Sequence, residues 1–130
     1  MGSNSLESFP AGCTRIRPFL GAADFELSRS FYRELGFVER TISDQMSAFH
    51  SQSVWFYLQR YYVKDWVDNT MVFLEVDDVA RRRSEIVALG IVDRFPSVRL
   101  SEIQENDWGR EFFLHDPSGN LWHIGSFKVG

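Results

Sequence analysis

The sequence predicts an α+β fold of two tandem βαβββ modules that together form an open, curved sheet. Three observations predict it: an internal repeat, a helix cap that recurs within the repeat, and short strand-like runs after each helix. Sliding the chain by 54 positions lays PFLGAADFELSRSFYRELGFVER on VFLEVDDVARRRSEIVALGIVDR, with nine identities between Phe19 and Arg40. Phe19 meets Phe73, Asp24 meets Asp78 and Gly36 meets Gly90, so both punctuation residues keep register. Duplication of one supersecondary unit produces such a pattern.

Each copy opens with an apolar strand, at residues 16–20 or 71–76, that runs into an aspartate. Asp24 and Asp78 suit the N-cap of a helix, where a side-chain oxygen accepts from backbone N–H groups that lack intrahelical partners. Each helix lasts about three turns and stops at Gly36 or Gly90, because glycine reaches the left-handed conformation that ends a helix. Leu27, Phe31, Tyr32 and Leu35 fall on one face of the first helix; Val79, Ile86 and Leu89 do so on the second. Strands are expected at 37–42, 45–50 and 54–62, then near 98–103, 111–114 and 121–127, with Asp-Pro-Ser-Gly-Asn at 116–120 as a turn. Residues 1–13 read as a polar lead-in or tag remnant. Residues 14–130 read as a single domain, with modules of about 14–66 and 67–130.

A chain of 130 residues is one domain by length. Its net charge of −4 argues against a nucleic-acid backbone as partner. The single cysteine, Cys13, rules out a disulfide framework and a CxxC zinc pattern. No apolar run approaches the roughly 20 residues of a membrane span, and no secretory signal opens the chain. No nucleic-acid or membrane partner is therefore expected, and a cytoplasmic location is. Twelve Phe, four Tyr and four Trp exceed what packing requires, which points to a cavity lined by rings.

The segments FLGAADFELSRSFYRELGF, DNT and SEIQENDWGREFFLHDPSGN carry a resemblance that covers nearly the whole chain from about residue 14. The chain resembles the vicinal-oxygen-chelate superfamily of glyoxalases, ring-cleaving dioxygenases and antibiotic-resistance proteins, and within it the bleomycin-resistance binding proteins. The DPSGN turn is common to the superfamily; the stretch from WGRE to DPSGN is more specific. The resemblance implies a glyoxalase/bleomycin-resistance fold, a homodimer and a cleft for a small ligand.

Metal-dependent members of the superfamily take their ligands from four strand positions that fall here on Arg17, Tyr57, Met71 and His123, with Gln59 one step along from Tyr57. Arg17 does not deprotonate, Met71 offers a soft thioether, and Tyr57 is an uncommon ligand. One imidazole does not hold a divalent ion against water. The resemblance thus implies no metal, no cofactor and no catalytic residue, although Glu75 and His123 could exchange a proton.

The candidate ligand-binding residues are Trp108, Trp55, Tyr57, Gln59, Trp66, Arg17, Phe73, Glu75 and His123. In the resembled proteins a tryptophan in the WGRE context stacks on the flat part of the drug, with Gly109 leaving its face open. Tyr61, Tyr62 and Trp66 would cover the mouth of the trough or pack across a dimer interface. Asp65, Asp68, Glu102, Glu105 and Asp107 would favour a cationic ligand, or else form a solvated acidic rim. Arg81, Arg82 and Arg83 read as solvent-facing charge. The expected function is metal-free binding and sequestration of a small, partly aromatic, antibiotic-like molecule. The alternative is a superfamily enzyme, a lyase, isomerase or dioxygenase with a rearranged site.

Overall fold

The computed structural model describes residues 8–52 and 54–128. After a 3-10 turn (Phe9–Gly12) come β1 (Phe19–Gly21), α1 (Phe25–Glu34), β2 (Val38–Ser43), β3 (Met46–Ser51) and β4 (Val54–Gln59). A one-turn helix, α2 (Lys64–Val67), leads to β5 (Met71–Glu75), α3 (Val79–Ala88) and another short helix, α4 (Ile91–Arg94). The chain ends with β6 (Arg99–Leu100), β7 (Gln104–Asn106), β8 (Gly109–His115) and β9 (Leu121–Phe127). The strands form two sheets, ordered β1-β4-β3-β2 and β5-β9-β8-β6, with β7 paired to the other end of β8. In each sheet the strand before the helix pairs in parallel with the last strand of its half. Among the described residues no helix is long and apolar enough to cross a membrane.

The caps form as their residue types dictate. Asp24 Oδ1 accepts from the Leu27 N–H and Asp78 Oδ1 from the Arg81 N–H, each at 3.1 Å. Gly36 and Gly90 follow the helices at φ +105° and +70°, left-handed values that side chains disfavour. The two long helices stand 54 residues apart, the offset of the sequence repeat.

The copies then diverge. After Gly36 the chain goes straight into β2, whereas Gly90 is followed by α4, where the sequence suggested only strands. Ile91 explains the difference: it is fully buried at the start of α4, and this short turn carries Phe95 into the core as well. β1 is shorter than expected because Pro18 has no N–H to donate, although its carbonyl still accepts from the Tyr57 N–H at 2.8 Å.

The core draws on the helices and on both sheets. Phe31 and Tyr32 of α1 and Phe56 and Leu58 of β4 pack with Phe112, Leu114, Trp122 and Ile124 of the second sheet. The helix-facing side of each sheet is buried, and the alternate residues of the same strands face outward. On α1 the buried stripe is Phe25, Ser28, Phe31 and Tyr32, so Leu27 is left 37% exposed, against expectation. α3 buries only Val79 completely. Leu89 is exposed, and Ile86 lines an apolar groove of about 170 Å³ between α3 and the second sheet.

Tyr32 and the DPSGN turn fasten the halves together. The Tyr32 hydroxyl donates to Asp116 Oδ2 at 2.6 Å and accepts from the Trp122 indole at 2.9 Å. Asn120 Nδ2 donates to the Gly21 carbonyl at 2.8 Å and to Asp116 at 2.9 Å. The other Asp116 oxygen accepts from the N–H groups of Ser118, Gly119 and Asn120. Burial pushes the Asp116 carboxyl above the usual aspartate range, against the pull of these donors. Burial, and then the neighbouring charge of Asp116, push the Tyr32 phenol well above its ordinary value. Asp116 thus shapes its own turn, and the same carboxylate also joins α1 to the second half.

Candidate ligand cleft

The second sheet presents an aromatic wall. Phe73 on β5 is the ladder partner of His123 on β9, and Phe113 on β8 is the antiparallel partner of the same histidine. Phe73 lies 5.9 Å from Trp108 and 5.3 Å from Phe127, and Trp108 lies 5.3 Å from Phe127. These three rings stay 39–53% exposed, which leaves a contiguous apolar surface beside the cleft.

Glycines make the wall possible. A Cβ at Gly109 would collide with the Ser126 carbonyl, so this glycine permits close approach of β8 to β9. That reason differs from the expected one of opening the Trp108 face. A Cβ at Gly125 would lie 3.1 Å from the Phe73 ring and 2.9 Å from Glu111, so Gly125 gives both side chains their space.

His123 is not paired with Glu75. Its Nδ1 lies 2.9 Å from Glu111 Oε1, and the other Glu111 oxygen accepts from the Asn106 amide at 3.4 Å. Nε2 of His123 is buried without a hydrogen-bond partner. Glu111 was absent from the sequence candidates, yet alternation with Phe113 along β8 places it on the His123 face. Glu75 is exposed on that face and has no ion pair among the described residues.

The first sheet presents a cationic wall. The Arg17 guanidinium lies over the Trp55 ring at 4.3 Å, and Nη1 donates to the Tyr57 hydroxyl at 3.2 Å. Arg15 also sits over Trp55, at 5.1 Å, and His50 stacks on the same indole at 4.2 Å. Trp55 is thus engaged by the chain's own side chains and serves as a seat for Arg17. Tyr57 packs at 4.8 Å on Phe19, its ladder partner.

Between the walls lies a cleft of about 300 Å³, lined by Ile16, Pro18, Val54, Trp55, Phe73 and Glu75, with core residues at its base. Of the candidate residues, Trp55, Phe73 and Glu75 meet there. Arg17 and Tyr57 adjoin it through Trp55, while Trp108 and His123 adjoin it through Phe73. Trp66 and Gln59 do not join them: they line a recess of about 90 Å³ beside Phe19 and Tyr61. Trp66 is 63% exposed, and its ring packs on that of Tyr61 at 5.9 Å.

Three of the five rim carboxylates are paired, whereas Asp65 and Asp107 have no ion pair among the described residues. Asp68 pairs with Lys64 at 2.6 Å, Glu105 with Arg110 at 2.7 Å and Glu102 with Arg83 at 3.6 Å. The arginine run is not plain surface charge, because Arg83 also donates to the Ser101 carbonyl at 2.8 Å and so supports the break between β6 and β7. His115, near the turn, makes no side-chain hydrogen bond among the described residues; burial, then the Arg99 charge, lower its pKa.

Several solved structures share this architecture. The bleomycin-binding protein of Streptomyces verticillus, complexed with copper(II)-bleomycin, superposes with a TM-score of 0.76 at 23% identity, over 89% of this chain and 98% of that one. The chain has the vicinal-oxygen-chelate fold. On this fold, the bleomycin resistance determinant of transposon Tn5 matches with a TM-score of 0.76 at 20% identity, over 90% and 100% of the two chains. Lactoylglutathione lyase from Agrobacterium tumefaciens matches with a TM-score of 0.67 at 17% identity, over 88% and 95%. No protein-family model and no curated sequence matches the chain.

The donor set does not fit the metal of the fold's metal-dependent members. Arg17, Tyr57, Met71 and His123 stand at the ligand positions carried over from the superfamily, and only the imidazole is an ordinary ligand for a borderline or hard divalent ion. His123 moreover spends its Nδ1 on Glu111. Among the described residues no three His, Cys, Asp or Glu side chains group closely enough to share a metal ion.

Proposed function

We propose that the chain binds and sequesters a small, partly aromatic molecule in the cleft between its sheets, without a metal and without converting it. The observation that carries this reading is the exposed cluster of Trp108, Phe73 and Phe127. Three rings held against one another and open to solvent form an apolar surface that a flat ligand would bury. Two bleomycin complexes among the structures of the same fold support the class of ligand.

Residues 14–130 act in this proposal as one domain, with two modules meeting near residue 66, in a cytoplasmic protein. The walls stand on separate sheets and the cleft is open, so we infer a homodimer in which a second copy closes each cleft. Sedimentation should then give twice the monomer mass at micromolar concentration; a monomer bound to ligand would remove the dimer from the proposal.

The test of binding is a tryptophan-fluorescence titration with bleomycin, wild type beside Trp108→Ala. Saturable quenching at one ligand per chain, lost in the variant, supports the reading. A flat response at high micromolar bleomycin rejects bleomycin itself as the ligand.

A second reading, an enzyme of the same fold, draws on the Glu111–His123 pair, since a carboxylate that orients an imidazole is a usual element of general-base sites. It requires turnover of a bound ligand that Glu111→Gln abolishes without weakening binding.

A further inference from the structure

We propose that the first-sheet wall is a carboxylate seat, so that the ligand of the cleft is an aromatic acid and not a cation. This rests on the small-molecule reading above and narrows its ligand class.

Arg17 and Arg15 carry the argument. Eight other arginines, Arg29, Arg33, Arg60, Arg81, Arg82, Arg83, Arg94 and Arg110, each have a carboxylate within ion-pair distance. Among the described residues Arg15, Arg17, Arg40 and Arg99 have none, and of these Arg15 and Arg17 sit on the indole that lines the cleft. A guanidinium carries five N–H donors in a planar fork that matches a carboxylate, and a single Arg17 donor is taken, by the Tyr57 hydroxyl. Trp55 and Tyr57 hold the side chain in place, so an incoming oxyanion meets a cation that is already oriented.

The surrounding charges agree. Three of the five rim carboxylates that would have drawn a cation, Asp68, Glu102 and Glu105, are paired with Lys64, Arg83 and Arg110. Glu75, which lines the cleft from the second sheet, would repel an acid group and direct it toward Arg17, leaving the ring system for Phe73 and Trp108. A volume of about 300 Å³ suits one or two fused rings with a small acid group.

Naphthoate, naphthylmethanol and naphthylmethylammonium share a ring system and differ in charge, and their affinities for the full chain can be compared by calorimetry. Naphthoate should bind at least about tenfold more tightly than the alcohol, as a charge-assisted, bidentate contact provides. Arg17→Gln should bring naphthoate down to the affinity of the alcohol and leave the alcohol within about twofold. Glu75→Gln should tighten naphthoate by about threefold, the size of a modest exposed charge effect. If Arg17→Gln lowers the melting temperature, salt replaces it: raising ionic strength should weaken naphthoate and spare the alcohol in the wild type.

Equal binding of naphthoate and alcohol, or preference for the ammonium, would overturn the carboxylate seat and leave the small-molecule cleft standing. Failure of all three probes and of bleomycin would remove both.

Discussion

On the first sheet the rings of Trp55 and Tyr57 are engaged by Arg17, Arg15 and His50, whereas on the second Phe73, Trp108 and Phe127 pack against one another and stay partly exposed. The contrast is sharpest at two equivalent places. Tyr57 is the ladder partner of Phe19, and His123 is the ladder partner of Phe73, its repeat counterpart. Tyr57 receives a hydrogen bond from a cation, and His123 is paired with a carboxylate. The two halves thus share a backbone pattern and differ in chemistry: one wall carries an oriented cation, and the other leaves three rings exposed.

The largest expected effect comes from separating the walls. Asp116→Ala would take the acceptor from the Tyr32 hydroxyl and from the Ser118 and Asn120 N–H groups, and one of two acceptors from the Asn120 amide, at a buried site. Urea denaturation should report a loss of about 3–5 kcal/mol, the usual consequence of breaking a buried charged network. A loss below about 1 kcal/mol would mean that the core alone holds the halves together.

Acid should distinguish the two halves next. Glu39 on β2 is largely buried, which opposes its ionisation, yet hydrogen bonds from Arg29, Ser47 and Arg33 hold its pKa down to about 2. Its repeat counterpart, Asp93, is exposed and has no ion pair among the described residues. Because the folded pKa lies below the ordinary 4.5, this stabilisation is complete above about pH 5 and is lost as pH falls toward 2. The loss is roughly 2–3 kcal/mol. Amide exchange should show the first sheet losing protection before the second over that window, and Glu39→Gln should flatten the acid limb of the stability profile. Equal loss in both sheets would sink the assignment.

Trp108→Ala tests the stacking wall itself. It should weaken an aromatic ligand by about tenfold and move the melting temperature little, because the indole is partly exposed at the surface. Trp55→Ala should instead release Arg17 and weaken acids selectively; identical losses from the two variants for neutral and acidic probes would erase the distinction between the walls. The smallest effect belongs to Trp66→Ala, which should change affinity by less than about twofold, since Trp66 lines a separate recess. A tenfold loss there would place the ligand at the Gln59 end.

Much of the molecule is determined by local rules that a sequence displays. Asp24, Asp78, Gly36 and Gly90 fix the ends of the two long helices because capping and left-handed backbone are properties of single residue types. Alternation fixes which side of β4, β5 and β9 is buried, and so put Tyr57, Phe73, Glu75 and His123 on outward faces. The offset of 54 residues announced the repeat.

The tertiary structure decided the pairings. Glu111 takes His123, Arg17 takes Trp55 and Tyr57, and Glu102 and Glu105 of the acidic rim take Arg83 and Arg110, each through strands or loops whose register no local pattern specifies. Leu27 and Leu89 fell outside the core because a helix buries the stripe that its neighbours cover, and those neighbours are distant in sequence. Gly109 and Gly125 are required by the opposing strand, through steric contacts that exist only after folding. Residue type and spacing therefore chose the elements and their buried sides, and packing between distant segments chose which side chains remain free to meet a ligand.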